Sequence, residues 1–275
     1  MMREKAYSYS FAHIYDDIMS SVPYDLWYQY LHEIMEYYSR NPDKIIDLAC
    51  GTGNMTIRFA RDEGIKCDGL DLSSDMLEIA RKKAVSGAVK TNFVRADLRN
   101  FKLDRKYDMA FSLFDSLNYI LYFDDLTRVF SNVYNVLKED GFFVFDMNTI
   151  SRLMSIEPGT AVFEGDNYTC FWEDIIDKKE KRWQVKLKIY FDQEGVKPHK
   201  EFHEETAYPR NKVVQGLKDA GFNYVDVFNA YTFEEGCNKD NRLYYVAFKK
   251  NIRDNNSLIK KIGHRFKWRV KRIFI

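Results

Sequence analysis

The sequence predicts an α/β protein whose mostly parallel sheet is covered by helices on both faces and is interrupted late by an antiparallel β insertion. Three observations predict it. From Lys44 to about Lys138, short apolar runs alternate with segments of helical period. After residue 150 the pattern changes to closely spaced runs with period-2 alternation. Near Pro209 it reverts to one helical segment and a closing pair of strands.

Taken in order, residues 11–40 read as helical, with Leu26, Tyr30, Leu31, Ile34 and Tyr38 at helical spacing, and Pro42-Asp43 ends the pattern. KIIDLAC is the first strand, and NMTIRFARDEG is a helix closed by Gly64. KCDGLDL is the second strand, and SSDMLEIARKKAVSG is a helix with a serine cap and a glycine stop. NFVRADL and YDMAFSLF are strands, DDLTRVFSNVYNVLKEDG is a helix, and GFFVFDMN is the fifth strand. AVFEG, NYTCFWEDII, RWQVKLKIYF and KEFHEETAY form the antiparallel group. RNKVVQGLKDAGF is a helix, and NYVDVFNAY and RLYYVAFKK close the sheet. The division that follows is a core of residues 1–150 and 207–250, an insertion at 151–206 and a basic tail at 251–275.

A chain of 275 residues, 45% hydrophobic and 30% charged, can bury a full core and stay soluble. Aromatic content of 16% suits either pocket walls or a bulky core. A net charge of +1 argues against a nucleic-acid footprint over the whole chain. Cys50, Cys67, Cys170 and Cys237 are scattered, with no CxxC pair and no histidine at ligand spacing, a pattern of reduced thiols that gives no support for zinc. The first residues hold no apolar signal region, and no run approaches a membrane span, so a cytoplasmic location is expected.

The most informative segment is Ile45-Ile46-Asp47-Leu48-Ala49-Cys50-Gly51-Thr52-Gly53-Asn54, which sets two glycines in a strand-to-helix turn. That turn lies at the carboxyl end of the sheet, where α/β folds bind ligands, and glycine lets backbone approach a ligand closely. Asp71 ends the second strand, 24 residues after Asp47, where it can accept hydrogen bonds from both ribose hydroxyls of an adenosine. Asp97 ends the third strand, placed to accept from the adenine amino group. Alone, each acid reads equally as a cap or a strand-end turn; three successive strand ends carrying this series point to a nucleoside. The loop lacks the full GxGxxG of dinucleotide binders and the Lys-Ser/Thr of a P-loop.

DLACGTG, GLDLS, DML, ADL and GFFVFDMN resemble, motif by motif and in order, the class I S-adenosylmethionine-dependent methyltransferases, over about residues 10–150 and again over 207–249. The resemblance implies a Rossmann-like seven-stranded sheet, S-adenosylmethionine as cofactor and S-adenosylhomocysteine as product. It implies that Ala49, Gly51, Thr52 and Gly53 pass along the amino-acid end of the cofactor, with Asp47 on its ammonium group. Asp71 would hold the ribose, Leu72 and Met76 would flank the adenine, and Asp97 and Leu98 would complete that site, with Phe114 also against the cofactor.

Tyr15-Asp16-Asp17-Ile18-Met19, then Pro23-Tyr24 and Trp27, look like the small-molecule branch, which includes aminosugar N,N-dimethyltransferases and glycine and sarcosine methyltransferases. Members fold an N-terminal helix over the cofactor and carry a β insertion after the fifth strand. That likeness implies Tyr15 near the sulfonium, Tyr24 near the substrate and residues 151–206 as a substrate lid; the plain alternative for Tyr15 is a tyrosine packing a helix. After the fourth strand comes Phe114-Asp115-Ser116-Leu117-Asn118-Tyr119. Some aminosugar enzymes have a histidine near this point; here Asn118 stands there, so Asp115 or Tyr119 substitutes, or no base is needed. Asn118 itself either orients substrate or bonds backbone.

Methyl transfer needs alignment and exclusion of water more than acid–base help, so a tyrosine-lined pocket is expected rather than a triad. Glu201, His203 and Glu205 share one strand face, which either enters the substrate cavity with His203 as base or contact, or is a solvated polar face. Trp172 either walls the same cavity or packs in a core. In the tail, Ile259, Ile262, Phe266, Val270 and Ile273 recur among basic residues, which suits an amphipathic helix on an anionic membrane (residues 256–275), a helix docked on this chain or a twin subunit, or an RNA contact. The functional expectation is methylation of a nitrogen or oxygen of a small metabolite, an amino sugar or other small amine first. RNA methylation stands second, weakened by the lack of an NPPY-like loop, and a non-catalytic cofactor-binding module stands third.

Overall fold

The computed structural model describes residues 6–62, 64–192 and 197–251. The tail, with its membrane, docking and RNA readings, lies outside the described residues. The core sheet has strands β1 (Lys44–Leu48), β2 (Lys66–Asp71), β3 (Phe93–Arg95), β4 (Tyr107–Ser112), β5 (Leu137–Asn148), β10 (Tyr224–Asn229) and β11 (Arg242–Phe248) in the order β10-β11-β5-β4-β1-β2-β3. The five strands from β5 to β3 run parallel, and β11 is antiparallel to both of its neighbours. This is a Rossmann-like seven-stranded sheet, as the resemblance implies. Strand order reverses between β1 and β4, which opens a crevice beyond their carboxyl ends.

The inner strands are apolar on both faces, as burial on both sides requires. Ile46, Leu48, Phe143 and Phe145 lie in one core with Leu126, Phe130 and Val133 of helix α5 (Phe123–Val136) and Val213 and Leu217 of α7 (Arg210–Asp219). Ile45, Phe111 and Val144 lie in the other, against Tyr30, Leu31 and Ile34 of α2 (Tyr24–Tyr37). The expected continuous helix over 11–40 is two: α1 (Tyr9–Ile18) stops before a turn at Met19–Pro23, and α2 begins after it. Pro23 explains the break, because its ring fixes its own φ and drives the preceding residue out of the helical region. The helix expected to reach Gly64 is shorter, α3 (Asn54–Phe59), with Gly64 at φ +86° in the turn beyond it. Helix α4 (Ser74–Ser86) is capped as expected, the Ser73 hydroxyl accepting from the Met76 N–H at 3.2 Å, and Gly87 follows it.

After β5 a short helix α6 (Ile150–Met154), absent from the sequence expectation, leads into a separate antiparallel sheet. Its strands are β6 (Gly159–Gly165), β7 (Tyr168–Asp177), β8 (Arg182–Phe191) and β9 (His199–Thr206), in chain order. Tyr168, Cys170, Val185, Leu187 and Ile189 on its inner face share a third core with Phe11, Ala12, Ile14 and Ile18 of α1 and Met76 of α4. Helix α1 is therefore the filling between the insertion and the core domain. No helix among the described residues is long and apolar enough to cross a membrane.

Candidate active site

Four strand-end loops, after β1, β2, β3 and β4, meet the N-terminal segment and α2 around a cavity of about 510 Å³. Backbone in the left-handed region shapes its two principal loops: Ala49 and Gly51 after β1, and Phe114 and Asp115 after β4, all have φ between 49° and 61°. For Ala49, Phe114 and Asp115 this conformation is strained and is held by the surrounding packing. A Cβ on Gly51 would meet nothing of the protein within 4 Å, so the loop offers a ligand bare backbone there. Gly53, at φ +78°, caps α3 instead; its missing Cβ leaves room for Ala80 and Phe93 at 3.0 and 3.1 Å, so it shapes the turn from behind and does not line the cavity.

Asp47 is 4% exposed and accepts from the Thr56 hydroxyl at 2.7 Å. Burial raises its carboxyl to about 7, with the neighbouring Asp71 charge adding to the effect. Asp71 accepts the Gly51 N–H on one oxygen and the Ser73 N–H on the other, each at 2.8 Å, and keeps lone pairs for a ligand. Its carboxyl is also raised, by burial above all. Asp97 is engaged by the Arg99 guanidinium, with Nε at 3.0 Å from both oxygens, and these hydrogen bonds hold its carboxyl below the usual range.

Asp47, Ala49, Gly51, Thr52, Asp71, Leu72, Met76, Asp97, Leu98 and Phe114 all line the cavity, as do Tyr15, Tyr24 and Tyr119. Bare backbone at Gly51, an acid with free lone pairs at the second strand end and an apolar floor of Leu72, Met76 and Leu98 fit an adenosyl group and its amino-acid arm. Helix α1 closes this end: Asp16 accepts from the Thr52 hydroxyl at 2.6 Å and the Asn54 amide at 2.9 Å, and Lys83 pairs with its other oxygen at 2.7 Å.

Besides Gly53, the candidates Asn118, Asp115, Trp172 and His203 lie outside the cavity wall. The Asn118 amide donates to the carbonyls of Asn148 at 3.1 Å and Thr206 at 2.7 Å and accepts from the Asn148 N–H at 3.0 Å, which is the backbone-bonding reading. Asp115 is turned inward to a buried network with Asn148 and Arg242; Arg242 also pairs with Asp146. Trp172 stays within the insertion, its indole N–H donating to Asp174 at 3.0 Å and its ring 6.0 Å from Phe163. Glu201, His203 and Glu205 are 1%, 4% and 5% exposed, so their face is neither solvated nor part of the wall. It packs instead on the N-terminal segment and on the 3-10 turn Ser116–Tyr119.

Sequence reasoning missed Tyr7, whose ring lines the cavity and whose hydroxyl donates to Tyr119 at 2.8 Å. Its N–H donates to Glu201 at 2.8 Å, and its carbonyl accepts from the Ser73 hydroxyl at 2.6 Å. The spacing of Tyr7, Phe11 and Tyr15 by four residues was the available signal. Trp27, Arg99 and Tyr122 also line the cavity.

Those loops build a crevice where α/β folds bind ligands, of a kind that suits a nucleoside cofactor. The profile of the methyltransferase domain matches residues 45–141. YqeM of Bacillus subtilis (strain 168), a provisionally named methyltransferase, is 30% identical over 242 residues, 87% of this chain and 96% of the relative. The crystal structure of an S-adenosylmethionine-dependent methyltransferase from Clostridium acetobutylicum ATCC 824 is 30% identical with a TM-score of 0.75, covering 88% of this chain and 98% of that one. A dTDP-3-amino-3,6-dideoxy-α-D-glucopyranose N,N-dimethyltransferase from Streptomyces fradiae is 24% identical over 194 residues, 70% of this chain and 74% of the relative. The chain belongs to the S-adenosylmethionine-dependent methyltransferases; its cofactor is S-adenosylmethionine and its coproduct S-adenosylhomocysteine.

Proposed function

We propose that the protein methylates a nitrogen or oxygen of a small molecule, an amino sugar or another small amine first. The observation that carries this reading is the cavity itself: one end is the carboxylate-and-glycine crevice, the other a chamber of Tyr7, Tyr15, Tyr24, Trp27, Phe114 and Tyr119. A volume of about 510 Å³ suits the cofactor with a small acceptor beside it. The relative from Streptomyces fradiae, an N,N-dimethyltransferase of a nucleotide-linked amino sugar, supports the same class of acceptor.

In this reading Asp71 receives the ribose hydroxyls, Asp47 and the backbone from Ala49 to Thr52 the amino-acid arm, and Leu72, Met76, Asp97 and Leu98 the adenine. Tyr15 and Phe114 face the sulfonium, where electron-rich rings favour a cation. The bound cofactor supplies an electrophilic methyl group. The aromatic chamber then aligns the acceptor's lone pair and excludes water, and the insertion at 151–206 serves as the lid that holds α1 over both. Isotope-labelled S-adenosylmethionine incubated with the protein and a fractionated metabolite extract should put label into a small amine or hydroxyl compound identified by mass. Label in RNA, or in nothing while S-adenosylhomocysteine binds tightly, would overturn it.

A further inference from the structure

Beneath the acceptor chamber a line of polar side chains crosses the junction of the N-terminal segment with the insertion. Tyr7 and Tyr119 stand in the cavity wall, with the Tyr7 hydroxyl donating to that of Tyr119 at 2.8 Å. Because Tyr119 accepts from Tyr7, its own proton is free for the next partner, His203 Nδ1, at 3.3 Å. His203 Nε2 lies 3.1 Å from Glu201 Oε2. The other Glu201 oxygen accepts the Ser8 N–H at 2.9 Å and the Ser8 hydroxyl, which lies 2.7 Å from His199 Nε2. His199 is 35% exposed, whereas Glu201 and His203 are buried. Hydrogen bonds thus tie the chamber wall to Glu201, which Ser8 and the half-buried His199 anchor from the outer side.

We infer that Tyr119 and His203, backed by the Glu201 carboxylate, form a proton wire that drains the acceptor proton from the closed chamber. Resting on the methyltransferase reading above, it assigns Tyr119 as the catalytic contact and His203 and Glu201 as groups acting through it. The balance is simple. The acceptor nitrogen forms its bond to the methyl carbon as the carbon–sulfur bond breaks, its electron pair going to sulfur. The cationic nitrogen then loses a proton to the Tyr119 oxygen as the Tyr119 proton passes to His203 Nδ1. His203, now an imidazolium, is paired with the Glu201 carboxylate and gives its proton to water as the chamber opens to release product. Burial works to raise Glu201, but hydrogen bonds from His203 and Ser8 outweigh it and keep the carboxyl below its ordinary value, as a stationary anion requires. The groups facing His203 are Tyr7, Tyr119, Glu201 and, next on its own strand face, Glu205; Val185 opposite on β8 is apolar. Glu201 also clamps Tyr7 and Ser8, so the wire exists only while the N-terminal segment is closed.

The first test needs no acceptor. Nitrogen-15 histidine spectra of the S-adenosylhomocysteine-bound wild-type protein should show His203 in the Nε2–H tautomer at pH 8, with Nδ1 unprotonated. An Nδ1–H tautomer, or an imidazolium throughout pH 6–9, would overturn the wire whatever the protein methylates. The second test uses the acceptor that takes up label. H203Q and Y119F should lower kcat by about 100-fold or more at unchanged S-adenosylhomocysteine affinity. A low-pH limb in the wild-type kcat profile should be absent from H203Q. A kcat within twofold of wild type, or the same pH limb in H203Q, would overturn it. If no acceptor takes label the proposed function fails, and the spectra still decide the wire.

Discussion

The two ends of the cavity are built in opposite ways. At the cofactor end, the lining residues from Asp47 to Leu98 sit at three consecutive strand ends, in the loops after them or in the first turns of the helices that follow, and hydrogen bonds such as Gly51 N–H to Asp71 join neighbouring strands. At the acceptor end, Tyr7 meets Tyr119, 112 positions away, and Glu201, 194 positions away. The first end is a property of the sheet and is present whenever the sheet folds. The second exists only when three distant pieces of chain close on one another. Cofactor binding should therefore be robust, and acceptor chemistry should depend on closure.

The comparison breaks most sharply at Asp71. Replacing it with Ala removes its bonds to two loop N–H groups and those proposed to the ribose, and should weaken S-adenosylhomocysteine binding by about 3 kcal/mol, roughly 150-fold, in calorimetry. An unchanged affinity would mean that the adenosyl group is not held at the end of β2. Next is Arg242, which pairs with Asp115 and Asp146 beneath the loop after β4. Arg242→Leu leaves those buried acids uncompensated and should cost about 3 kcal/mol of stability, read as a fall in melting temperature. Stability within 0.5 kcal/mol of wild type would show that the acids simply take up protons.

Asp47 sharpens the comparison through pH. Its folded-state value of about 7 lies above that of the unfolded chain, so the folded protein holds a proton that the unfolded chain releases. The sign is that burial of this carboxyl is tolerated best below the ordinary carboxylate range, and stability is lost as pH rises through 7. Binding of the cofactor's ammonium runs the other way, since it needs the ionised form. Affinity for S-adenosylhomocysteine should be nearly tenfold weaker at pH 6 than at pH 7.5, and flat in Asp47→Asn. A flat wild-type profile would remove Asp47 from the ammonium site. The smallest effect is at the α1 latch. Thr52→Val deletes one hydrogen bond to Asp16 and should cost about 1 kcal/mol of cofactor affinity, about fivefold, chiefly as faster release in stopped flow. Unchanged release would show that α1 opens independently of Thr52.

What was legible in the sequence follows this division. The order of strands and helices, the serine cap on α4 and the antiparallel group after β5 are set by local period and capping chemistry, which survive in a linear reading. The break of residues 11–40 at Pro23 was legible too, because proline acts on its nearest neighbours, but the apolar spacing on either side obscured it. Asp71 announced itself by its place at a strand end, and Gly51 by its turn.

Position along a chain says little about which long-range partner a polar side chain finds. Asn118 aligned with a catalytic position and became a staple between β5 and β9; Asp115 in the same loop turned inward to Arg242. The period-2 rule put Glu201, His203 and Glu205 on one face, but whether that face met water, ligand or protein depended on where α1 and the turn after β4 came to rest. By itself the sequence determined the sheet and the half of the cavity that hangs from its strand ends. Only the tertiary structure decided the other half, because its contacts join residues with no local signal, chosen by how the insertion folds back over the N-terminal helix.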